Sequence, residues 1–399
     1  MHGGFSVKRI LERYRSIKLL VSAPGRVDFL NTHQDYKGLP VVPIAVNLRT
    51  YVAVVESSRR FIVESLNLME EGKLYKDEFD PARPIQSWKG WFGNYLRAVV
   101  AAIRDYTGVS LNEGFHAVIY SEVPIGGGLA SSAALEVAFA KALDAYFNLG
   151  LNTSSLAEVS FKAENTYVGV PCGRLDQYGS AYGGAILLYP REPVRVEVLP
   201  LESLDMVVVD SGIRHSVAEI HPVRQREINE GLKQLMENPL IPRELKEKLG
   251  YRFDEPRWSE IEYHEIKPYL DAIKDAPAKR IAFTILMNAS TMKAIDLIKR
   301  GEPRLQEKLG EIVNEQHELL RDLYEVSLPE LEKIRNAMLD AGAYGVKISG
   351  AGMGGSLLAV VPSEQEVKKR VLDAALKAGA RRGWIVRIDE GARVEDGYI

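Results

Sequence analysis

A glycine-rich segment between a predicted strand and a predicted helix points most directly to chemistry. It reads PIGGGLASSA from Pro124 to Ala133. Glycines let the backbone approach an anion closely, and the free N–H groups at a helix start favour a phosphate. Two serine hydroxyls in the first helical turn can cap the helix or reach a metal ion on that phosphate. No lysine follows the glycines, so this is not a Walker A motif. A tight glycine turn capped by serine is the alternative.

A second glycine cluster, SGAGMGG from Ser349 to Gly355, formally matches the dinucleotide-binding pattern GxGxxG. That pattern requires a helix directly after it, whereas the residues from Ser356 to Val361 predict a strand. A phosphate-facing loop and a plain turn between strands are equally compatible with this segment.

A third polar cluster follows the first predicted strand. It comprises Arg26, Asp28, His33 and Asp35, all within ten residues. An arginine, a histidine and two carboxylates at that density suit the recognition of hydroxyl groups, and a solvated loop is the alternative.

The elements around these motifs predict an α+β protein. We expect a strand at Leu19–Ser22 that stops at Ala23-Pro24-Gly25, and a hairpin formed by Thr50–Glu56 and Phe61–Ser65. The Ala- and Leu-rich run from Ala130 to Ala145 predicts a helix.

Length and composition set the broad class. At about 100–200 residues per domain, 399 residues predict two domains, which we place at residues 1–198 and 199–399 because a turn-rich stretch precedes residue 198. A net charge of −3 argues against nucleic-acid binding. The chain contains no run of 18 apolar residues, so we expect no membrane-spanning helix. A single cysteine, Cys172, favours a reducing, cytoplasmic compartment. We expect a monomer or a small homo-oligomer.

At these motifs the sequence resembles the GHMP kinases, and among them the galactokinase family. The segment from Arg26 to Tyr36 resembles that family's sugar signature, and the two glycine clusters resemble its phosphate loop and its third motif. Further similar segments follow in the family's order, over about residues 20–390. They are Trp91-x-x-Asn94-Tyr95, Ala163 to Gln177, and Tyr324 to Leu331.

The resemblance implies a fold, two substrates and a set of roles. The expected fold has a mixed-sheet N-terminal domain, a C-terminal domain of antiparallel sheet and helices, and an active site in the cleft. Asp176 would accept the proton of the anomeric sugar hydroxyl, with Arg26 beside it as electrostatic partner. Mg²⁺ would be held by Ser132 and Glu164. ATP would be bound by Trp91 and by the phosphate loop, namely Gly126, Gly127, Gly128, Leu129, Ala130, Ser131 and Ser132. The sugar would be bound by His33, Asp35, Thr32, Gly173 and His221.

The family pattern changes at three places near the expected sugar, which together involve four residues. Asn31-Thr32 stands where the family has Gly-Glu, His221 where it has a tyrosine that contacts galactose, and Asp28 where it usually has asparagine. Losing a carboxylate that binds a hydroxyl should alter which substrate is accepted. A sugar acid, an acetamido sugar or a pentose is therefore an alternative to galactose.

Two other functions compete with a sugar kinase. The mevalonate branch of the superfamily carries a lysine where this chain has Arg26 and lacks the sugar signature. A galactokinase-like sugar sensor would bind ATP and sugar without turnover. The intact run Ser131-Ser132-Ala133 and the presence of Asp176 favour an enzyme over a sensor.

Overall fold

A computed structural model describes residues 8–10, 12–14, 16–213 and 217–395. The chain divides into two compact units, neither of which is contiguous. Unit 1 comprises Met1–Val27, Ile44–Ile186 and Ile388–Ile399, and unit 2 comprises Asp28–Pro43 and Leu187–Arg387. The predicted boundary at residues 198 and 199 therefore lies near one of four points where the chain passes between units. The other three have no marker in the sequence.

Unit 1 is built on a six-stranded mixed sheet with the strand order β12-β1-β2-β5-β3-β4. The strands are β1 (Leu19–Leu30), β2 (Val42–Ser58), β3 (Phe61–Ser65), β4 (Lys76–Phe79), β5 (Gly114–Ser121) and β12 (Arg393–Val394). Strand β5 pairs antiparallel with β2 and parallel with β3. The predicted hairpin of β2 with β3 is therefore wrong, because a strand from later in the chain lies between them.

Strand β1 does not stop at Ala23-Pro24-Gly25, as the sequence predicts, but continues to Leu30 with every residue buried. A Cβ atom on Gly25 would lie 2.7 Å from the carbonyl oxygen of Leu129. The glycine is therefore required by a close approach of two backbone segments rather than by a turn. The Ser180 hydroxyl donates to the Pro24 carbonyl oxygen at 2.7 Å, which holds the same stretch from another side.

Helices cover the sheet of unit 1. They are α1 (Leu66–Glu70), α2 (Gly93–Thr107), α3 (Ser131–Phe147), α4 (Thr153–Lys162) and α5 (Leu175–Tyr182), with a π-helical turn at Ala163–Val168 after α4. The predicted helix at Ala130–Ala145 is confirmed as α3. Phe139 of α3 lies against Phe61 and Phe115 of the sheet, with ring centroids 5.9 Å from each. All three rings are fully buried, so α3 is fixed in place by apolar burial.

A single buried arginine ties the C-terminal segment to unit 1. Arg49 is 3% exposed, and its Nη1 donates to Asp389 Oδ2 and to the Glu390 carbonyl oxygen, both at 2.8 Å. Its Nη2 donates to the Gly391 carbonyl oxygen at 2.7 Å. These bonds fix the residues that lead into β12.

Unit 2 combines a four-stranded antiparallel sheet with seven helices among its described residues, as predicted for the C-terminal domain. A two-stranded sheet of β6 (Ile186–Tyr189) and β7 (Arg195–Val198) precedes it. The strands of the four-stranded sheet, in the order β11-β8-β10-β9, are β8 (Asp205–Asp210), β9 (Gly345–Ser349), β10 (Ser356–Val360) and β11 (Arg382–Arg387). The helices are α6 (Val217–Glu237), α7 (Arg243–Lys248), α8 (Tyr263–Leu270), α9 (Asp275–Arg300), α10 (Leu305–Glu318), α11 (Pro329–Asp340) and α12 (Gln365–Ala378).

Helix α9 is the central helix of unit 2. By length and composition alone it could cross a membrane, but 72% of its most apolar stretch is buried inside the protein. Its Phe283 ring stacks on the Tyr324 ring at 4.1 Å between centroids. The apolar composition of α9 is thus that of a core helix.

A buried histidine anchors the start of α11. His317 Nε2 donates to Glu332 Oε1 at 2.7 Å, and the Ser327 hydroxyl donates to the same oxygen. Burial opposes the charge of this carboxylate, but the bonds from His317 and Ser327 outweigh it and lower the pKa of Glu332 to about 2. A carboxylate with a depressed pKa contributes stability above its ordinary pKa of 4.5 and loses it as the pH falls towards 2.

Glu332→Gln is therefore expected to lower the free energy of unfolding at pH 7 by about 1.5–3 kcal/mol, the usual contribution of hydrogen bonds to a charged group. The difference from wild type should shrink between pH 4.5 and 2. Urea denaturation across that pH range measures it. Glu330→Gln, an exposed change in the same helical turn, is the control and should change stability by less than about 0.5 kcal/mol.

Candidate functional site

The glycine loop adopts the backbone conformations that its composition predicts. Gly126 and Gly128 have φ angles of 65° and 73°, in the left-handed region where a side chain is strained. Ala130 follows with φ 56° and is the residue from which α3 begins. Helix α3 starts at Ser131, so the serine hydroxyls and the free N–H groups of its first turn lie together at the end of the loop.

Arg26 joins the glycine loop to Asp176. Its Nε and Nη2 both donate to Asp176 Oδ1, at 2.8 and 2.6 Å. Its Nη1 donates to the Gly128 carbonyl oxygen at 2.9 Å, and its backbone N–H donates to the Leu129 carbonyl oxygen at 3.1 Å. Arg26 itself is 8% exposed. Since both bonds to the carboxylate end on Oδ1, Oδ2 makes no hydrogen bond to any residue that the structure describes and is available to a substrate.

A buried cluster of carboxyl groups lies beside Asp176. Gln177 Nε2 donates to Glu164 Oε2 at 2.5 Å and to Glu136 Oε2 at 3.1 Å. Ser132 lies near Glu164 and acts to lower the pKa of that carboxyl. Burial, and then the charge of Asp176, raises the pKa of Glu164. Burial, and then the charge of Glu164, raises the pKa of Glu136 well above its ordinary value. The sequence reading missed Glu136 and Gln177, which read as ordinary helix residues.

The donor set at this cluster fits Mg²⁺. Within the described ranges, no three His, Cys, Asp or Glu side chains are grouped as a protein-only metal site. Mg²⁺ prefers oxygen ligands and usually takes only one or two from the protein, with phosphate and water supplying the rest. Ser132 and Glu164 provide a hydroxyl and a carboxylate of this kind, and they lie near each other.

Trp91 precedes α2 and is only 8% exposed. The ring of Trp88 lies beside it with 4.5 Å between centroids, and Trp88 is 58% exposed. Asn94 holds the segment, since its Nδ2 donates to the Trp88 carbonyl oxygen at 2.9 Å and its Oδ1 accepts from the Ser87 N–H at 2.7 Å. The exposed aromatic surface thus belongs mainly to Trp88, which the sequence reading missed.

In unit 2, the sugar-signature residues lie on a strained turn after β1. Asn31 and His33 both have φ 66°, a left-handed conformation that costs a non-glycine residue about 1–2 kcal/mol. Such strain persists where surrounding contacts fix it. His33 Nε2 lies 3.0 Å from the Ala351 carbonyl oxygen, within the second glycine cluster. Asp35 then opens a short 3-10 helix, Asp35–Lys37.

His221, on α6, completes an aromatic group with His33. Their ring centroids are 5.2 Å apart, and Tyr324 and Tyr36 lie against these rings at 4.8 and 5.1 Å. Burial, and then the charge of His221, lowers the pKa of His33 well below its ordinary value. Burial, and then the charge of Lys37, lowers the pKa of His221. Both imidazoles are therefore neutral near pH 7 and can accept or donate a hydrogen bond.

Lys347 is a buried charged residue of this region that the sequence reading missed. It lies on β9, is fully buried, and donates from Nζ to Thr32 Oγ1 at 2.8 Å. In sequence it is one polar residue within a short strand, and nothing there marks its contact with Thr32.

The candidate residues are distributed over both units. Thr32, His33, Asp35 and His221 belong to unit 2. Gly173 is an exposed residue of unit 1, in the turn that precedes α5. The phosphate-loop residues, Trp91, Arg26, Glu164 and Asp176 also belong to unit 1.

Three family models match the chain. The N-terminal domain of the GHMP kinases matches residues 94–184, and the C-terminal domain of the GHMP kinases matches residues 294–380. The galactose-binding signature of galactokinases matches residues 11–55.

Curated relatives and solved structures agree with these models. Human galactokinase is 31% identical over 349 residues, which cover 85% of this chain and 82% of the human protein. Thermotoga maritima galactokinase is 31% identical over 347 residues, 85% of this chain and 88% of that protein. The structure of Lactococcus lactis galactokinase with galactose has a TM-score of 0.78 at 25% identity, over 98% and 99% of the two chains. The structure of L. major mevalonate kinase with R-mevalonate shares the fold, with a TM-score of 0.63 at 19% identity over 92% of this chain and 95% of that chain.

Proposed function

Because this chain belongs to the galactokinase family and is thus a sugar kinase, we propose that it phosphorylates the anomeric hydroxyl of galactose or of a closely related sugar. ATP is the phosphoryl donor. Phosphoryl transfer requires little covalent chemistry from the protein, which must position the reactants and offset the charge that moves between them.

The observation that carries this proposal is the bond geometry of Arg26 and Asp176. Both bonds from Arg26 end on Oδ1, so Oδ2 can accept the proton of the sugar hydroxyl as that oxygen attacks phosphorus. A general base must lie within hydrogen-bond reach of the proton it takes. The guanidinium next to it offsets the negative charge of the phosphoryl group in the transition state.

The phosphate end of ATP would be held by the glycine loop and the first turn of α3, from Gly126 to Ser132. Backbone N–H groups at a helix start bind phosphate oxygens, and Ser132 and Glu164 would hold Mg²⁺ there. When bound, Mg²⁺ neutralises charge on the phosphates. Trp91, with Trp88 beside it, would contact the adenine.

The sugar would be bound through Thr32, His33, Asp35, Gly173 and His221. A neutral imidazole can bond a sugar hydroxyl as donor or acceptor, and a carboxylate can accept a hydrogen bond from one. Cys172 is the one cysteine of the chain, and we place the enzyme in a reducing cytoplasm where ATP is available.

A coupled ADP-release assay with Mg-ATP and a sugar panel tests the function. The panel contains galactose, N-acetylgalactosamine, galacturonate, glucose, arabinose and mevalonate. We expect saturable turnover with galactose or one of its derivatives and none with mevalonate. Binding of ATP and a sugar without ADP release would instead indicate a sensor. The phosphorylated carbon is identified by ³¹P–¹H NMR of the product, and phosphate on any carbon other than the anomeric one would contradict the proposal.

A further inference from the structure

Gln177 bonds two carboxyl groups through one amide nitrogen. Its Nε2 carries two hydrogens, and it donates to Glu164 Oε2 at 2.5 Å and to Glu136 Oε2 at 3.1 Å. Gln177 and Glu136 are fully buried, and Glu164 is nearly so. Because both hydrogens are used inside the protein, the Gln177 side chain is held in one orientation from two sides.

The bonded side chains come from three separate segments of unit 1. Glu136 lies on α3, Glu164 on the π-helical turn after α4, and Gln177 on α5, directly after Asp176. Ser132 is four residues before Glu136 on α3, so the two side chains share one face of that helix. The two bonds of Gln177 therefore fix the spacing of the segments that carry Ser132, Glu164 and Asp176.

The turn that carries Glu164 is an irregular part of the backbone. Single π-helical turns are rare and occur frequently at functional sites. In this turn the N–H groups of Gly169 and Val170 both donate to the Glu164 carbonyl oxygen. Those bonds hold the backbone of the turn, whereas the bond from Gln177 holds the carboxylate itself.

This cluster is an unfavourable way to fill a protein core. Glu136 Oε1 and Gln177 Oε1 are buried and have no hydrogen-bond partner among the residues that the structure describes. Buried polar atoms without a partner raise the free energy of the folded state, and apolar side chains of similar volume are often as stable or more so. The arrangement therefore serves the position of Glu164 rather than stability.

We infer that Gln177, anchored by Glu136, is a positioning residue that orients the Glu164 carboxylate towards Mg²⁺ on the bound nucleotide. The inference rests on the proposed function and deepens it, since it adds the residues that hold the candidate metal ligand. Carboxylates that bind metals are themselves hydrogen-bonded by outer partners, and those partners strengthen metal binding.

Nucleotide binding with and without metal tests the inference. Calorimetry gives the Kd of AMP-PNP, a non-hydrolysable ATP analogue, in excess Mg²⁺ and in excess EDTA, and the ratio of the two Kd values is the gain due to the metal. Gln177→Met keeps the length of the side chain and removes both donors. Its gain should fall by about tenfold or more relative to wild type, as for other outer partners of metal ligands. Its Kd in EDTA should stay unchanged, because the glycine loop is untouched.

Variants at Glu136 test the anchor from the other end of the bridge. Glu136→Gln keeps an oxygen that accepts the Gln177 hydrogen, and it should retain the gain. Glu136→Met removes the acceptor and should lower the gain, which tests the bridge even if Gln177→Met fails to fold. A lost gain in Glu136→Gln would contradict the anchoring role.

Asp144→Leu is the matched control. Asp144 is a second buried carboxylate of α3, and its Oδ1 accepts from the Leu151 N–H at 2.8 Å. The change should lower the melting temperature and leave the gain due to Mg²⁺ unchanged.

Steady-state kinetics gives a second readout that a purely structural defect would not produce. In Gln177→Met, the Mg²⁺ concentration for half-maximal rate should rise by about tenfold or more. Saturating Mg²⁺ should restore most of kcat, and KM for the sugar should stay at its wild-type value.

The outcomes separate the inference from the proposed function. A folded Gln177→Met with the wild-type gain and the wild-type Mg²⁺ dependence overturns the inference and leaves the kinase proposal intact. Wild-type protein that binds AMP-PNP equally well in Mg²⁺ and in EDTA, and releases no ADP with any sugar, contradicts the proposed function itself.

Discussion

Asp176→Asn is expected to lower kcat by about 10²–10⁴-fold, the usual contribution of a general base, while sugar and ATP still bind. Asparagine has the same shape, and its Oδ1 can accept both hydrogen bonds that Arg26 gives to Asp176 Oδ1. Its amide nitrogen then replaces Oδ2 and cannot take a proton from the sugar. Single-turnover kinetics with Mg-ATP measures the loss, and calorimetry measures binding of each substrate.

Asp389→Asn is the matched control for this change. Asp389 is also a carboxylate of unit 1 in an ion pair with an arginine, Arg49, and its side chain is 24% exposed against 29% for Asp176. We expect it to affect stability and to leave the rate constant of transfer unchanged. Near-normal turnover of Asp176→Asn would show that another group takes the proton.

The second large effect is expected for Arg26→Ala, with a fall in kcat of about 10²–10³-fold, typical of removing one group that stabilises transition-state charge. The deletion also removes the bond from Arg26 to the Gly128 carbonyl oxygen. Because the missing group is a small planar cation, millimolar guanidinium should restore part of the activity. Steady-state kinetics with and without guanidinium makes the measurement.

Rescue distinguishes the two variants from each other. Guanidinium should not restore Asp176→Asn, which lacks a proton acceptor rather than a cation. If Arg26→Ala keeps its fold by circular dichroism but is not rescued, Arg26 acts through the position of the glycine loop instead. A variant with unchanged kcat would remove Arg26 from the mechanism.

Much of the glycine-loop part of the candidate site could be predicted from local sequence. Glycines that tolerate left-handed backbone, followed by an alanine-rich run, predicted the loop and α3, and both are present. The resemblance to galactokinases also placed Arg26 near Asp176, although the two are 150 residues apart in the chain. Such long-range contacts are beyond local patterns, because they depend on how whole segments fold together.

Local signals were wrong where tertiary contacts override them. Pro24-Gly25 reads as a turn, yet it lies inside β1. The glycine is needed there because the Leu129 backbone comes too close for any side chain. The predicted hairpin failed for a similar reason, since β5 pairs with both β2 and β3. Side-chain pairs between adjacent strands each contribute little free energy, so the burial of β5 between β2 and β3 decides the strand order.

Lys347 shows what the sequence alone cannot supply around Thr32. Within GVKIS it is one residue of a short strand, and its contact with Thr32 spans 315 positions of the chain. A lysine in a strand is usually exposed. Only its complete burial and its three oxygen partners identify it as a fixed cation.

The anchoring of residues 389–391 by Arg49 has a consequence for biosynthesis. As the chain leaves the ribosome, Arg49 appears 340–342 positions before its partners. Unit 2 ends at Arg387, so all of its residues are made before those partners. A buried guanidinium without its acceptors is strongly unfavourable. The Arg49 cluster is therefore completed only after residues 389–391 have been made, so this part of unit 1 is expected to acquire its final packing later than the rest.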